Sequence, residues 1–250
     1  MMKTATKFLT PAVALAAAMG SLSAQAAGYK VMEVADGGSV SGKVTFTGAD
    51  PDPKIFSITK DTDTCGTGER LIDFVAVNEG GLSNVVVYLD KVKSGKAFND
   101  AEAAGNLDQQ GCEFHPFMQI MHNGAQISVL NSDPVSHNIH TYEILGRAKK
   151  TAFNISQPDQ GSKIKKTVKL KRGAAMKVEC DQHDFMHGFV FVAKNPYYAV
   201  VAEDGSFSID DVPPGKYTLK AFHGTLGEKK TKVTVEAGKA ASASFEFKGK

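Results

Sequence analysis

Short runs of alternating apolar and polar residues, broken by glycine and proline, fill most of this chain. Val40, Val44 and Phe46 share one face of such a run, and Phe207/Ile209, Tyr217/Leu219, Val233/Val235 and Phe245/Phe247 repeat the pattern towards the C-terminus. A period of two marks a strand with one buried face. Two runs depart from it: Val85-Val86-Val87-Tyr88-Leu89 and Phe189-Val190-Phe191-Val192 are apolar throughout, which predicts strands buried on both faces. Asp204-Gly205 predicts a tight hairpin and Pro213-Pro214-Gly215 a loop. Helical signal is confined to a weak stretch over 98–104. The pattern predicts an all-β protein made of sandwiches rather than α/β units.

The first residues break the pattern. Met1-Met2-Lys3 precedes an Ala-rich apolar run, which ends in Ala24-Gln25-Ala26. This is the layout of a cleaved Sec-type signal peptide over residues 1–26, and the run is too short to span a bilayer. The expected product is a soluble periplasmic protein without membrane insertion. Removing Lys3 and Lys7 from a chain with formal charge +2 leaves almost none, so general binding to nucleic acid has no electrostatic drive. Only 147–177 is strongly basic, with ten Lys or Arg against Asp159. It reads as a solvated strand face, with a docking patch for an acidic partner as the sharper alternative.

Candidate chemistry sits in Cys180-Asp181-Gln182-His183-Asp184-Phe185-Met186-His187. Its spacing puts a thiol, an imidazole and a thioether on one tight loop, three of the four donors a blue copper site uses. A second imidazole is available from His137, after the strand expected over 126–130. These two motifs resemble those of the cupredoxins, amicyanins above all, in which a P-H-N-x-H segment precedes a C-x-x-H-P-F-M loop. The resemblance covers roughly 111–193 and implies a type 1 copper held by His137, Cys180, His183 and Met186. It further implies that Asn138 helps hold the Cys180 sulfur and that the His183 ring edge faces solvent as the electron's exit. Ser136 and Asp184 stand where that family has proline, and neither change removes a ligand. His187 is a rival axial donor, read here as a second-sphere or solvent-facing residue, and His140 as structural or exposed.

Cys112-Glu113-Phe114-His115-Pro116-Phe117-Met118 echoes the main loop. It is open to two readings, a second metal site or a disulfide between Cys112 and Cys65. An odd count of three cysteines in an exported chain favours the disulfide, which leaves Cys180 for the metal. The D-G-x-F run at Asp204 and the P-P-G-x-Y run at Pro213 resemble the carboxypeptidase regulatory-like domain, a small transthyretin-like sandwich. Its first strand would be the one around Val40, far upstream, and the stretch 81–89 fits either unit. The expected plan is therefore two sandwiches, a Greek-key cupredoxin inserted in a transthyretin-like one. The segments are 27–110, 111–194 and 195–250.

No paired H-x-H motif, G-x-S-x-G, H-E-x-x-H or phosphate loop occurs. The expected function is that of a single-electron carrier serving a periplasmic redox partner, not an enzyme. The alternatives are copper carriage without electron transfer and a structural sandwich with a vestigial site.

Overall fold

The computed structural model describes residues 28–99 and 103–249. The expected signal peptide lies outside the described residues, as does the centre of the weak helical stretch at 98–104. Among the described residues the helix is a single turn, Thr62–Cys65. Strands account for the remaining regular structure, arranged as two sandwiches.

The terminal sandwich is built from both ends of the chain. One of its sheets orders Tyr198–Val200, Val85–Asp90, Gly215–His223 and Gly227–Val235. In the other, Gly38–Thr47 lies antiparallel to Ser206–Val212 and pairs in parallel with Ala240–Ser242 and Phe245–Lys248. The alternating residues named above meet between these sheets in one core that includes Val40, Val44, Phe46, Phe207, Ile209, Leu219, Val233, Phe245 and Phe247. The strand at 85–90 belongs here, since it pairs with Gly215–His223.

The central sandwich packs Phe114–His115, Gly105–Gln109, Gln126–Asn131 and Lys163–Thr167 against a five-stranded sheet. That sheet orders Met118–His122, His187–Ala193, Ala175–Glu179, His137–Leu145 and Ala148–Gln157. The unit begins at Gly105, upstream of the expected boundary at 111, because Gly105–Gln109 pairs in parallel with Gln126–Asn131. The basic stretch maps onto the edge strands Ala148–Gln157 and Lys163–Thr167, where Lys149, Lys150, Lys163, Lys165 and Lys166 are exposed. Charge there opposes strand addition from another chain.

The two wholly apolar runs lie back to back across the junction of the sandwiches. Val85, Val87 and Leu89 enter the terminal core and Val190 and Val192 the central one. Val86, Tyr88, Phe191 and Phe222 form a third cluster between them. The chain enters and leaves the central sandwich at neighbouring points, for Leu89 N donates to Tyr197 O and Asn195 Nδ2 to Leu89 O.

One further element belongs to neither sandwich by pairing. Lys54–Ile58 and Gly68–Ile72 form an isolated two-stranded ribbon, and the Thr62–Cys65 turn lies between them. This arm lies on the central sandwich, with Ile58 and Cys65 in the same core cluster as Phe185 and Met186.

Candidate metal centre

The loop 180–186 joins two neighbouring antiparallel strands, Ala175–Glu179 and His187–Ala193. It is closed by Met186 N donating to His183 O at 3.0 Å and Cys180 N to Met186 O at 3.4 Å. His137 opens the strand on the other side of Ala175–Glu179. Its approach is fixed by Asn131, whose Oδ1 accepts from Asp133 N and whose Nδ2 donates to Val135 O and Gln157 O. Two adjacent strand ends thus deliver three donors to one point.

The Nδ1 atoms of His137 and His183 stand 3.1 Å apart, and Cys180 Sγ lies 4.0 and 3.7 Å from them. All three side chains are buried. Nitrogens about 2.0 Å and a sulfur about 2.3 Å from one centre at trigonal angles would be spaced by about 3.5 and 3.7 Å. The observed triangle is close to that.

What lies behind the rings sets which nitrogen donates. His137 Nε2 is 2.8 Å from Asp133 Oδ2, and His183 Nε2 is 2.8 Å from Asp61 Oδ2. A carboxylate acceptor places the ring proton on Nε2 and turns the other nitrogen's lone pair inward. Burial also pushes the His137 pKa below its ordinary value, partly opposed by Asp133. Rings that donate through Nε2 turn bare Nδ1 atoms towards each other. Two lone pairs and a sulfur converge in a dry space, an arrangement a soft cation resolves. The residues present fit a thiolate–imidazole metal site.

Asn138 ties the two loops together. Its Oδ1 accepts from Asp181 N at 2.7 Å and lies 3.4 Å from Cys180 Sγ, while its Nδ2 donates to Asn154 Oδ1 and Asp181 Oδ2. Met186 is fully buried in the same core cluster as Cys180. His140 is partly buried: Nδ1 is 2.9 Å from Asp181 Oδ1, and the ring stacks on Tyr142. Its contact helps hold the Asp181 carboxyl below the usual range.

Three expectations need correction or resolution. The His183 ring edge does not face solvent: the residue is 1% exposed, and Asp61 Oδ2 on the arm stands 2.8 Å from its Nε2. His187 is not solvent-facing either. Its ring lies 5.2 Å from those of Phe56 and Phe74, and burial pushes its pKa down to about 4. In the echo motif Cys112 is bonded to Cys65, His115 is exposed and Met118 opens a strand beside Phe189. Cys112 does lie near Asp133 and His137, but an oxidised sulfur offers no thiolate. Cys180 is the free cysteine.

Sequence reasoning missed Asp133, Asp61 and Asp181. Asp133 precedes His137 by four residues in a turn-forming Asn-Ser-Asp-Pro stretch, which was a usable signal. Asp61 is 122 residues from its partner, and no local pattern marks it.

A family model described as "Polysaccharide lyase family 4, domain II" matches residues 171–243. This stretch starts in the central sandwich and ends in the terminal one, and its description differs from the regulatory-like domain that the Asp204 and Pro213 motifs resemble. No curated protein matches the chain. Among solved structures, a purple cupredoxin from Nitrosopumilus maritimus is similar at 18% identity and TM-score 0.31, over 36% of this chain and 99% of its own. Amicyanin from Paracoccus versutus gives 14% and 0.30 over 36% and 81%. A copper-containing nitrite reductase from Thermus scotoductus gives 13% and 0.30 over 61% and 28%. The case for a metal rests on the donors themselves.

Proposed function

We propose that the protein is an exported type 1 copper protein that carries single electrons to a redox partner in the periplasm. The observation that supports this most directly is the convergence of Cys180 Sγ with the Nδ1 atoms of His137 and His183, each ring backed by a carboxylate. Met186, which the cupredoxin motif makes the axial ligand, completes the proposed set. Copper held by such donors supplies reversible one-electron chemistry. The chain's part is to keep the donors fixed and dry: Asp133 and Asp61 orient the rings, Asn138 holds the Cys180 loop, and the surrounding apolar core excludes water. A closed four-donor set leaves no position for substrate, which supports a carrier rather than an enzyme.

Export is supported by the signal-peptide pattern and by the Cys65–Cys112 disulfide, a bond that persists in oxidising compartments. Among the described residues no helix is long and apolar enough to cross a membrane.

The test is to add Cu(II) to the purified protein and to a Cys180→Ser variant, and to record visible absorption and EPR spectra. An intense blue or purple band with narrow copper hyperfine splitting, absent from the variant, is the expected result. Tight binding of Cu(I) without a coloured Cu(II) form would replace electron transfer by copper carriage. Failure to bind copper in either state would sink both readings.

A further inference from the structure

The arm is tied to the metal loop at several points. Asp61, in the left-handed conformation just before the helical turn, reaches His183. Lys60 Nζ is 3.4 Å from Gln182 Oε1. Arg70 donates through Nη1 to Gly111 O and Cys112 O and through Nη2 to Cys65 O, and its guanidinium lies 5.1 Å from the Phe185 ring. Phe56 packs on His187. Among the described residues the arm makes no strand pairing with either sandwich, so these contacts, one covalent bond and the packing of Ile58 on the central core hold it down.

That bond joins the supports of the two histidines. Cys65 ends the helical turn that Asp61 starts, and Cys65 N donates to Asp61 O at 2.8 Å. Cys112 N donates at 2.8 Å to Asp133 Oδ2, the same oxygen that faces His137 Nε2. The carboxylate behind His183 and the carboxylate behind His137 are therefore each one short step from opposite ends of a single disulfide.

We propose that the arm is a clasped cover of the metal site, with Asp61 as the positioning residue for His183 and the Cys65–Cys112 disulfide as the clasp. The cover shields the ring edge and the Cys180 sulfur, so access to both is governed by how often the arm lifts. Local opening of this kind is a property of weakly paired elements. The role of Asp61 towards a bound metal rests on the copper reading; the cover itself does not.

The test uses the full chain and Cys180, the one thiol left once the clasp is oxidised. Its rate of reaction with an aromatic disulfide reagent is measured in metal-free protein for the wild type, Asp61→Ala, Asp61→Asn and the double variant Cys65→Ser/Cys112→Ser. Variants are compared at a temperature well below each one's melting midpoint, where their circular dichroism matches the wild type. The expected result is a rise of about tenfold or more for Asp61→Ala, the scale of losing one hydrogen bond to a charged acceptor. Asp61→Asn, which keeps an oxygen for Nε2–H, should stay near the wild type. The double variant should react fastest, and if it fails to fold, Asp61→Ala against Asp61→Asn still decides. Equal rates in wild type and Asp61→Ala would overturn the cover. Copper-loaded samples then separate positioning from shielding: the absorption band should shift in Asp61→Ala and return in Asp61→Asn, and an unmoved band would remove the positioning role. Because the thiol rates are read without metal, a protein that never colours would defeat the copper reading alone.

Discussion

Asp133 illustrates how much one side chain can carry. Its carboxylate is 4% exposed and accepts from Gly111 N at 2.7 Å and Cys112 N at 2.8 Å while facing His137 Nε2. Buried carboxylates persist when their oxygens are so satisfied. Such outer contacts are chosen by three-dimensional proximity, which explains why the chemistry-bearing donors were legible as local motifs and their carboxylate partners were not. A second buried residue gives a measurable pH effect. His223 is 1% exposed, its Nδ1 accepts from Thr225 N and Leu226 N, and burial pushes its pKa down to about 4. The unfolded chain takes up a proton near pH 6.5 that the folded chain refuses. Stability from this source is therefore intact above about pH 6.5 and falls as the pH drops towards 4, by about 3 kcal/mol in all. Urea unfolding at pH 7 and pH 4.5 should show a smaller difference for His223→Gln than for the wild type.

Among the elements, the strands were the most legible because period two and apolar runs follow directly from the pleat. The run at 85–89 predicted burial on both faces and has it, one face in its own core and the other against the second sandwich. Of the arm, only Cys65 was read, through its disulfide. Its strands Lys54–Ile58 and Gly68–Ile72 are short and mixed in polarity, and what holds them is a disulfide, Arg70 and Asp61 rather than a periodic apolar face. The strand Gly38–Thr47 makes a prediction of its own, since it is flanked by strands from the far end of the chain. A Cβ added at Gly42 would stand 1.7 Å from Ala243 O, and backbone cannot yield as a side-chain tip does. Gly42→Ala should force this strand from Ala240–Ser242 and cost about 3 kcal/mol or more, visible as a lowered urea midpoint.

The molecule as a whole is two sandwiches sharing an aromatic seam. Phe191 is 1% exposed and its ring lies 5.0 Å from that of Tyr88, with Phe222 and Tyr198 next to it. Truncating it leaves a cavity at the junction, worth about 3–5 kcal/mol for a buried Phe→Ala change. Calorimetry is expected to give one melting transition for the wild type and two for Phe191→Ala; a single transition in the variant would mean that coupling of the sandwiches does not depend on Phe191. The placement of the arm has a further meaning for descent. Residues 105–193 hold all four proposed donors, yet Asp61 and Cys65 come from chain that precedes them and is continuous with the host sandwich. A gene segment encoding the guest alone would carry His137, Cys180, His183 and Met186 and leave behind Asp61 and the disulfide partner of Cys112. Cut from the host, the same donors would lack the carboxylate that His183 Nε2 faces here.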